Sequence, residues 1–145
     1  MLNAICDLLF CPEFTVAPNK SASRDEVDDL QTLDSCEYIW AAGVGFAHKP
    51  VDSQQYDLNR RELLRLLETC FSQSMYLSPS GGGGSLTNRW VQYFTSSENR
   101  HALPLFTSLL NVMCSYDPAG ILPYNHLLFN DTREELVEAA LQVIR

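Results

Sequence analysis

Cysteine, histidine and acidic side chains are the groups of this sequence that could carry covalent chemistry, and their spacing decides whether they do. A cysteine nucleophile needs a neighbouring histidine as its base and an acid that orients the histidine. Cys114, His101 and Asp117 offer these three types within one stretch. On a continuous helix, however, Cys114 and His101 would lie on separate turns and would not touch. We therefore interpret Cys114 as a small apolar core residue, and keep a cysteine-dependent hydrolase or acyltransferase as the alternative function.

A second possible chemistry is metal binding, for which thiolates and imidazoles would have to recur at short, fixed intervals. The sequence contains no C-x-x-C or H-x-x-x-H spacing. The candidate ligands are Cys6, Cys11, Cys36, His48, His101 and His126. The cysteines are odd in number and widely scattered, which indicates a reducing compartment rather than a disulfide framework. We predict no metal site, no cofactor and no catalytic residue, and hence no enzyme.

Glycine-rich stretches raise the question of phosphate binding. The run "SPSGGGGSLTN", between Leu77 and Arg89, lacks the lysine that follows the glycines of a phosphate-binding loop. We predict a Gly/Ser-rich loop over residues 78–87, whose composition fits both a natural loop and an engineered linker. The shorter "GVGF", from Gly43 to Phe46, lacks the third glycine of a dinucleotide fingerprint. Close packing between helices is the predicted role of its glycines.

Charge is distributed unevenly along the chain, whose formal net charge is −8. Acidic residues concentrate between Glu13 and Glu37, and the segment 13–33 has too little apolar surface to offset the entropy of ordering it. We predict a mobile, solvated acidic loop over 13–33. The rest of the chain has no clustered basic face, which argues against nucleic acid as a partner.

Two further groups have more than one interpretation. Arg60, Arg61 and Arg65 are interspersed with Glu62 and Glu68, and we predict that they form a mixed, solvent-exposed helix face. Contact with anionic lipid or with a partner carboxylate is the alternative role of these arginines. Trp40 in "EYIW" and Trp90 in "RWVQYF" either fill the core or anchor a protein interface, and the core interpretation is favoured.

Neither a secretion signal nor a membrane span is visible in the sequence. "MLNAICDLLF" lacks a basic amino-terminal region and is interrupted by Asp7. The longest apolar run, "IWAAGVGFA", is much shorter than the roughly 20 residues of a spanning helix. The opening Met1-Leu2 differs from the Met-Gly start of N-myristoylated proteins. We expect no membrane anchor within this chain.

Apolar residues at helical spacing predict most of the secondary structure. The predicted helices run from Leu2 to Phe10, Asp34 to His48, Asn59 to Leu77, Arg89 to Phe94, Ser96 to Tyr116 and Thr132 to Arg145. Asn59 with Glu62, and Asp131 with Glu134, are predicted capping boxes, and Asn88 is a predicted single cap. Pro104 either kinks its helix or marks the first turn. The residues predicted to face the core are Leu63, Leu66, Leu67, Cys70, Phe71 and Met75 in the third helix, and Leu103, Phe106, Leu110 and Met113 in the fifth.

No stretch alternates with the period of a β-strand, so we predict an all-α fold. Residues 1–145 are expected to form a single helical segment, an irregular array of the armadillo or HEAT solenoid type with long loops. The final helix reaches Arg145 without a glycine cap. We therefore expect a fragment of a larger protein, whose apolar stripes pack on neighbouring helices.

Several blocks of the sequence resemble a known family. They are "MLNAICDLLFCPEFTV", "LDSCEYIWAAGVGFAHKP", "NRRELLRLLETCFSQSMYL", "NRHALPLFTSLLNVMCSYDPAGILPYNHLLFND" and "REELVEAALQV". These blocks resemble the Hid family, named for high-temperature-induced dauer formation and related to dymeclin. The resemblance covers nearly all of the chain except Ala17 to Thr32 and the glycine loop. Family members are several times longer and resemble N-myristoylated proteins, whereas this chain opens at what resembles an internal methionine.

The resemblance implies a large, helical, cytosolic protein held peripherally on Golgi and trans-Golgi network membranes. It implies a role in the secretory pathway, the sorting of neuropeptide and peptide-hormone cargo into dense-core vesicles. No catalytic residues are defined for the family, so none is carried over. The expected partners are proteins of the trafficking machinery and the rest of the parent chain. Peripheral membrane association is expected only through regions outside this chain.

Overall fold

A computed structural model describes residues 1–18, 39–44, 50–76, 88–116 and 132–145 of the chain. These residues are mostly helical, which confirms the all-α fold class; the solenoid arrangement stays a prediction. The helices are α1 (Leu2–Leu9), α2 (Gln54–Phe71), a 3-10 helix (Ser72–Tyr76), α3 (Arg89–Phe94), α4 (Ala102–Cys114) and α5 (Thr132–Ile144). These ranges contain an isolated β-bridge between Pro12 and Val16.

Helix α1 is amphipathic, and its apolar face packs into the core. Leu2, Ile5, Cys6 and Leu9 recur at helical spacing, and all four are buried. Beyond the helix, the chain turns back on itself, and the Glu13 N–H donates to the Val16 carbonyl at 2.8 Å. This turn is the start of the predicted acidic loop, and its Thr15 and Val16 are buried. Residues 19–33 of that loop lie outside the described ranges.

Helix α2 begins earlier than the sequence indicated. Its N-cap is Ser53 and not Asn59, which lies within the helix, so the predicted Asn59–Glu62 capping box is wrong. The Asn59 side chain instead accepts a hydrogen bond from Gln55 at 3.0 Å and donates one to the Phe14 carbonyl at 2.7 Å. A side chain that the sequence assigned to local capping therefore ties α2 to the turn after α1.

The buried face of α2 also differs in part from the prediction. Leu63, Leu67 and Cys70 are buried as expected, Phe71 packs at the core margin, and Leu64 is fully buried as well. Leu66 and Met75 are exposed by 44% and 81%, so their predicted inward orientation is wrong.

Helix α4 exposes the face that the sequence predicted to be buried. Leu103 and Phe106 are exposed, and Leu110 and Met113 are only half-buried. The core instead receives Pro104, Leu105, Ser108, Leu109, Asn111 and Val112. The helix is apolar nearly all round, so hydrophobic spacing alone did not distinguish its two faces. Pro104 lies in the first turn, where it breaks no helical hydrogen bond, and this confirms one of its two interpretations.

Helix α5 closes the core because it packs against both α2 and α4. Its contact residues, Leu136, Ala139 and Ala140, are all buried. The two alanines let the helix axes approach closely. The predicted capping box of α5 pairs Asp131 with Glu134, and Asp131 lies outside the described residues.

Residues 39–44 are not helical, so the predicted helix from Asp34 to His48 is wrong at its centre. They form an irregular segment held on α4 by Asn111, which accepts from the Val44 N–H at 2.8 Å and donates to the Ala41 carbonyl at 3.1 Å. A Cβ atom at Gly43 would lie 2.7 Å from Asn111 Cγ, so only glycine permits this approach. Residues 34–38, 45–49 and the glycine loop 78–87 lie outside the described ranges.

None of the helices in the described ranges combines the length and the apolarity needed to cross a lipid bilayer.

Candidate functional site

The residues of the hypothetical cysteine-dependent site do not come together. His101 is the N-cap of α4 and Cys114 its last residue, so the two lie at opposite ends of the helix, roughly 20 Å apart at the usual rise per residue. Cys114 is exposed, and its predicted place in the core is wrong. His101 Nε2 lies 3.0 Å from Asp7 Oδ1, and its ring stacks on Phe10. Asp117 lies outside the described residues.

Cys6 and Cys70, two of the other described cysteines, are buried, whereas Cys11 is half-buried. Burial raises the pKa of the Cys6 thiol to about 11, and burial also raises the pKa of Cys70. Such thiols carry little of the thiolate that acts as a nucleophile or metal ligand. Among the described residues, no three His, Cys, Asp or Glu side chains cluster in a way that could hold a metal ion. Cys36, His48 and His126 lie outside this part of the chain.

Arg60 is buried, contrary to the prediction of a solvent-exposed arginine face. Its Nε donates to the Thr15 carbonyl and its Nη1 to Asp57 Oδ1, both at 2.8 Å. The guanidinium carbon lies 5.1 Å from the centre of the Trp40 ring, within the range of a cation–π contact. Burial raises the pKa of Asp57, and the charge of Arg60 partly offsets this rise. The arginine therefore joins α2 to the turn after α1 and to the irregular segment.

The other two arginines have different surroundings. Arg65 is exposed, as predicted, whereas Arg61 is half-buried. Arg61 pairs with Glu62 on its own helix and with Glu135 of α5. The arginine face is thus solvent-exposed only in part, because α5 and the turn after α1 cover the rest of it.

Trp40 lies in the core, as the sequence favoured. Its indole N–H donates to the Leu9 carbonyl at 3.1 Å, and its ring meets Phe10 with 5.9 Å between centroids. Trp90 is only half-buried and, together with Met1, Arg89 and Tyr93, lines a surface depression between α1 and α3. Trp40 and Arg60 thus form a buried structural cluster, whereas Trp90 packs against the margin of the core and is partly exposed.

A second surface feature, an apolar groove of about 490 Å³, lies between parts of four helices. Its walls are the carboxyl-terminal end of α2, helix α3, the first half of α4 and the end of α5. The apolar lining residues are Phe71, Val91, Phe94, Leu105, Phe106, Leu109, Val143 and Ile144. We call this the α2–α5 groove. Apolar concave surfaces with few polar groups are the usual form of a binding site.

One carboxylate, that of Glu68, lines this groove. Its Oε1 atom has no contact with solvent and no hydrogen-bond partner among the described residues. Burial raises the pKa of Glu68, which the charge of Arg65 lowers and that of Glu138 raises. From the sequence, Glu68 was expected to belong to the mixed, solvent-exposed face of its helix. Its position three residues before Phe71 and one after Leu67 was the available signal that it borders the apolar stripe.

Comparison with known proteins gives a consistent result. The profile of the Hid1 family, described as high-temperature-induced dauer-formation protein, matches residues 1–145. The chain is 62% identical to Protein HID1 of Homo sapiens and 63% identical to Protein HID1 of Mus musculus over 145 residues. Identity to Protein HID1 of Dictyostelium discoideum is 31% over 149 residues.

The lengths of these proteins differ greatly. Each of the three alignments covers 99% of this chain, but only 18% of the human and mouse proteins and 16% of the Dictyostelium protein. No solved structure matches the chain.

Proposed function

Since this chain belongs to the Hid1 family of high-temperature-induced dauer-formation proteins, we propose that it is a non-enzymatic interaction segment of a Golgi-associated trafficking protein. The family match over the whole chain carries this proposal. Through the resemblance set out above, it includes a role in sorting neuropeptide and peptide-hormone cargo into dense-core vesicles. The chain spans about 18% of the length of its human and mouse relatives, so the activity of the whole protein belongs to the proposal.

The proposed location is the cytoplasmic face of Golgi and trans-Golgi network membranes, where the protein is peripheral. Its proposed partners are proteins of the trafficking machinery and the rest of the parent chain, and not nucleic acid. The formal net charge of −8 supports the exclusion of nucleic acid, since an acidic protein gains nothing from counterion release on a phosphate backbone.

Two observations support an interaction role over catalysis. The α2–α5 groove offers an apolar surface of the kind that binds other proteins. The histidine and cysteine that the sequence suggested for a nucleophilic site lie at the two ends of α4.

A rescue experiment tests the trafficking proposal. The full-length family protein that contains this segment is expressed with a fluorescent tag in neuroendocrine cells that lack their own copy. We expect co-localisation with a trans-Golgi marker and restored peptide-hormone content of dense-core vesicles.

The variant Leu64→Asp, which places a charge at a fully buried position, is expected to lose both the localisation and the restored hormone content. The control Arg65→Asp, at an exposed position of the same helix, is expected to keep them. An even cytosolic distribution of the unmodified protein would contradict the proposal.

Thiol labelling tests the non-enzymatic part of the proposal. We expect Cys114 to react with iodoacetamide at the rate of an ordinary exposed thiol and the buried Cys6 and Cys70 to react much more slowly. Mass spectrometry of peptides from a short labelling reaction at neutral pH measures the three rates. A cysteine that reacts far faster than a thiol in an unfolded peptide would favour the cysteine-dependent enzyme instead.

A further inference from the structure

Helix α4 carries two apolar faces, and only one of them is covered by the described residues. Leu105, Leu109 and Val112 pack into the core. On the other side, Leu103 is exposed by 73% and Phe106, one turn later, by 49%. A helix that is apolar all round is normally buried on all sides.

The outer face of α4 continues into the α2–α5 groove. Phe106 lines that groove together with Val91 of α3 and Ile144 of α5. The side chains of Val91 and Ile144 are exposed by 38% and 39%. Leu103, Phe106 and the half-buried Leu110 follow one another at helical spacing along α4. The exposed apolar surface is therefore elongated, with its long direction along the α4 axis.

The carboxylate of Glu68 is not fully satisfied, and Glu68 lines this groove. Its Oε1 atom is removed from water and lacks the hydrogen bonds that would offset its desolvation. Arg65 and Glu138 act on Glu68 electrostatically, and Arg145 lines the same groove. Neither arginine donates a hydrogen bond to Glu68 Oε1. A hydrogen-bond donor that enters with an occupant would pair with the Glu68 carboxylate, and a positively charged donor would do so most strongly.

We propose that the α2–α5 groove docks an amphipathic helix of a protein partner, with apolar residues one turn apart on either side of a lysine or arginine that pairs with Glu68. The elongated apolar surface suits a helix, whose apolar side chains recur once per turn. A fatty acid whose carboxylate lay against Glu68 would be disfavoured, because two carboxylates would face each other in an apolar setting. This inference rests on the proposed interaction role and specifies the chemistry of the partner.

A displayed library of amphipathic helical peptides tests the inference on the purified chain, without assuming a partner. The library is randomised at one central position between fixed apolar residues at i−4, i−3, i+3 and i+4. Selection on the unmodified chain is expected to enrich lysine and arginine at the central position. Selection on Glu68→Gln is expected to lose this preference, and the selected lysine peptide is expected to bind that variant about tenfold or more weakly.

Matched variants separate the groove from the rest of the surface. Glu62→Gln removes an exposed carboxylate from the same helix and should leave the preference unchanged. Phe106→Asp should abolish binding, and Val91→Asp repeats this test from the opposite wall in case the first variant folds poorly. Circular dichroism checks the fold of each variant.

Three results would overturn the inference. They are equal enrichment of lysine and arginine on Glu68→Gln, binding that survives both groove variants, and a library that yields no groove-dependent binder. The outcome is independent of the trafficking proposal. The library measures binding by the purified chain, whereas the rescue experiment measures the location and cargo of the full-length protein.

Discussion

At the scale of single residues, Arg60 and Arg65 show how position decides the role of one side-chain type. Both lie on α2, and the sequence around them is equally rich in charge. Arg60 is 5% exposed and bonds the Thr15 carbonyl and Asp57, whereas Arg65 is exposed and pairs with the exposed Glu62. A buried ion pair whose remaining donors are satisfied is costly to break, and an exposed pair contributes little.

Replacing Arg60 should therefore destabilise the fold strongly. Arg60→Ala leaves the Asp57 carboxylate and the Thr15 carbonyl without their donor, and we expect the free energy of unfolding to fall by about 3 kcal/mol. Arg60→Lys should lose less, because lysine keeps the charge but not the planar fork that reaches both acceptors. Urea denaturation followed by tryptophan fluorescence measures the change. Arg65→Ala is the matched control, with an expected change within about 0.5 kcal/mol. Equal stability of the two alanine variants would show that the buried contacts of Arg60 contribute nothing.

At the scale of helices, the sequence predicted a cap correctly where the capping side chain bonds to its own helix. Asn88 was predicted as the cap of α3, and its Oδ1 accepts from the Trp90 N–H at 2.9 Å and from the Val91 N–H at 3.4 Å. Asn59 has the same side chain, but α2 extends beyond it to Gln54, and its amide bonds the turn after α1. Asn88 also makes one contact that no local pattern shows, a 2.6 Å bond from its Nδ2 to the Phe71 carbonyl at the end of α2.

Because Asn88 both caps α3 and bonds the end of α2, we expect two substitutions at this position to lower the stability to different degrees. Asn88→Ala removes the cap and the bond to α2, so we expect a loss of about 1 to 2 kcal/mol in the free energy of unfolding. Asn88→Asp keeps a capping acceptor near the amino terminus of α3 but loses the donor to Phe71, and should lie between alanine and the unmodified chain. Chemical denaturation measures both values. An aspartate variant no more stable than the alanine variant would mean that the cap contributes little.

At the scale of the whole molecule, α5 unites parts of the fold that are distant in sequence. It packs on α2 and on α4, and ion pairs Arg61–Glu135 and Arg133–Asp52 add to its contact with the α2 region. Its anchor Leu136 is 1% exposed, and Ala140 is fully buried. Loss of this anchor should therefore weaken the core as a whole and not α5 alone.

Leu136→Ala tests this cooperativity. We expect a loss of about 3 kcal/mol, from the transfer of the leucine side chain and the cavity that it leaves. The helical circular dichroism signal and the fluorescence of the buried Trp40 should move to lower denaturant concentration together. Leu141→Ala, at a position of the same helix that is 56% exposed, should change stability by less than about 1 kcal/mol. Two separate transitions in Leu136→Ala would show that α5 unfolds on its own.

Features that depend on neighbours along the chain could be predicted from the sequence. The helical class, the burial of α1 through Leu2, Ile5, Cys6 and Leu9, and the Asn88 cap all follow from spacing and local hydrogen bonding. The resemblance to the Hid family is likewise a property of the sequence, and the comparison over residues 1–145 confirmed it.

Three features could not be predicted in this way. They are the face of α4 that is covered, the burial of Arg60, and the position of Glu68 at an apolar groove. Leu103 and Leu105 are equally apolar, and Arg60 and Arg65 equally charged, so composition cannot rank them. Their surroundings are set by elements far away in sequence: α5, the turn after α1 and the irregular segment at Trp40. Burial is a property of contacts between such distant elements, and a single sequence does not display those contacts.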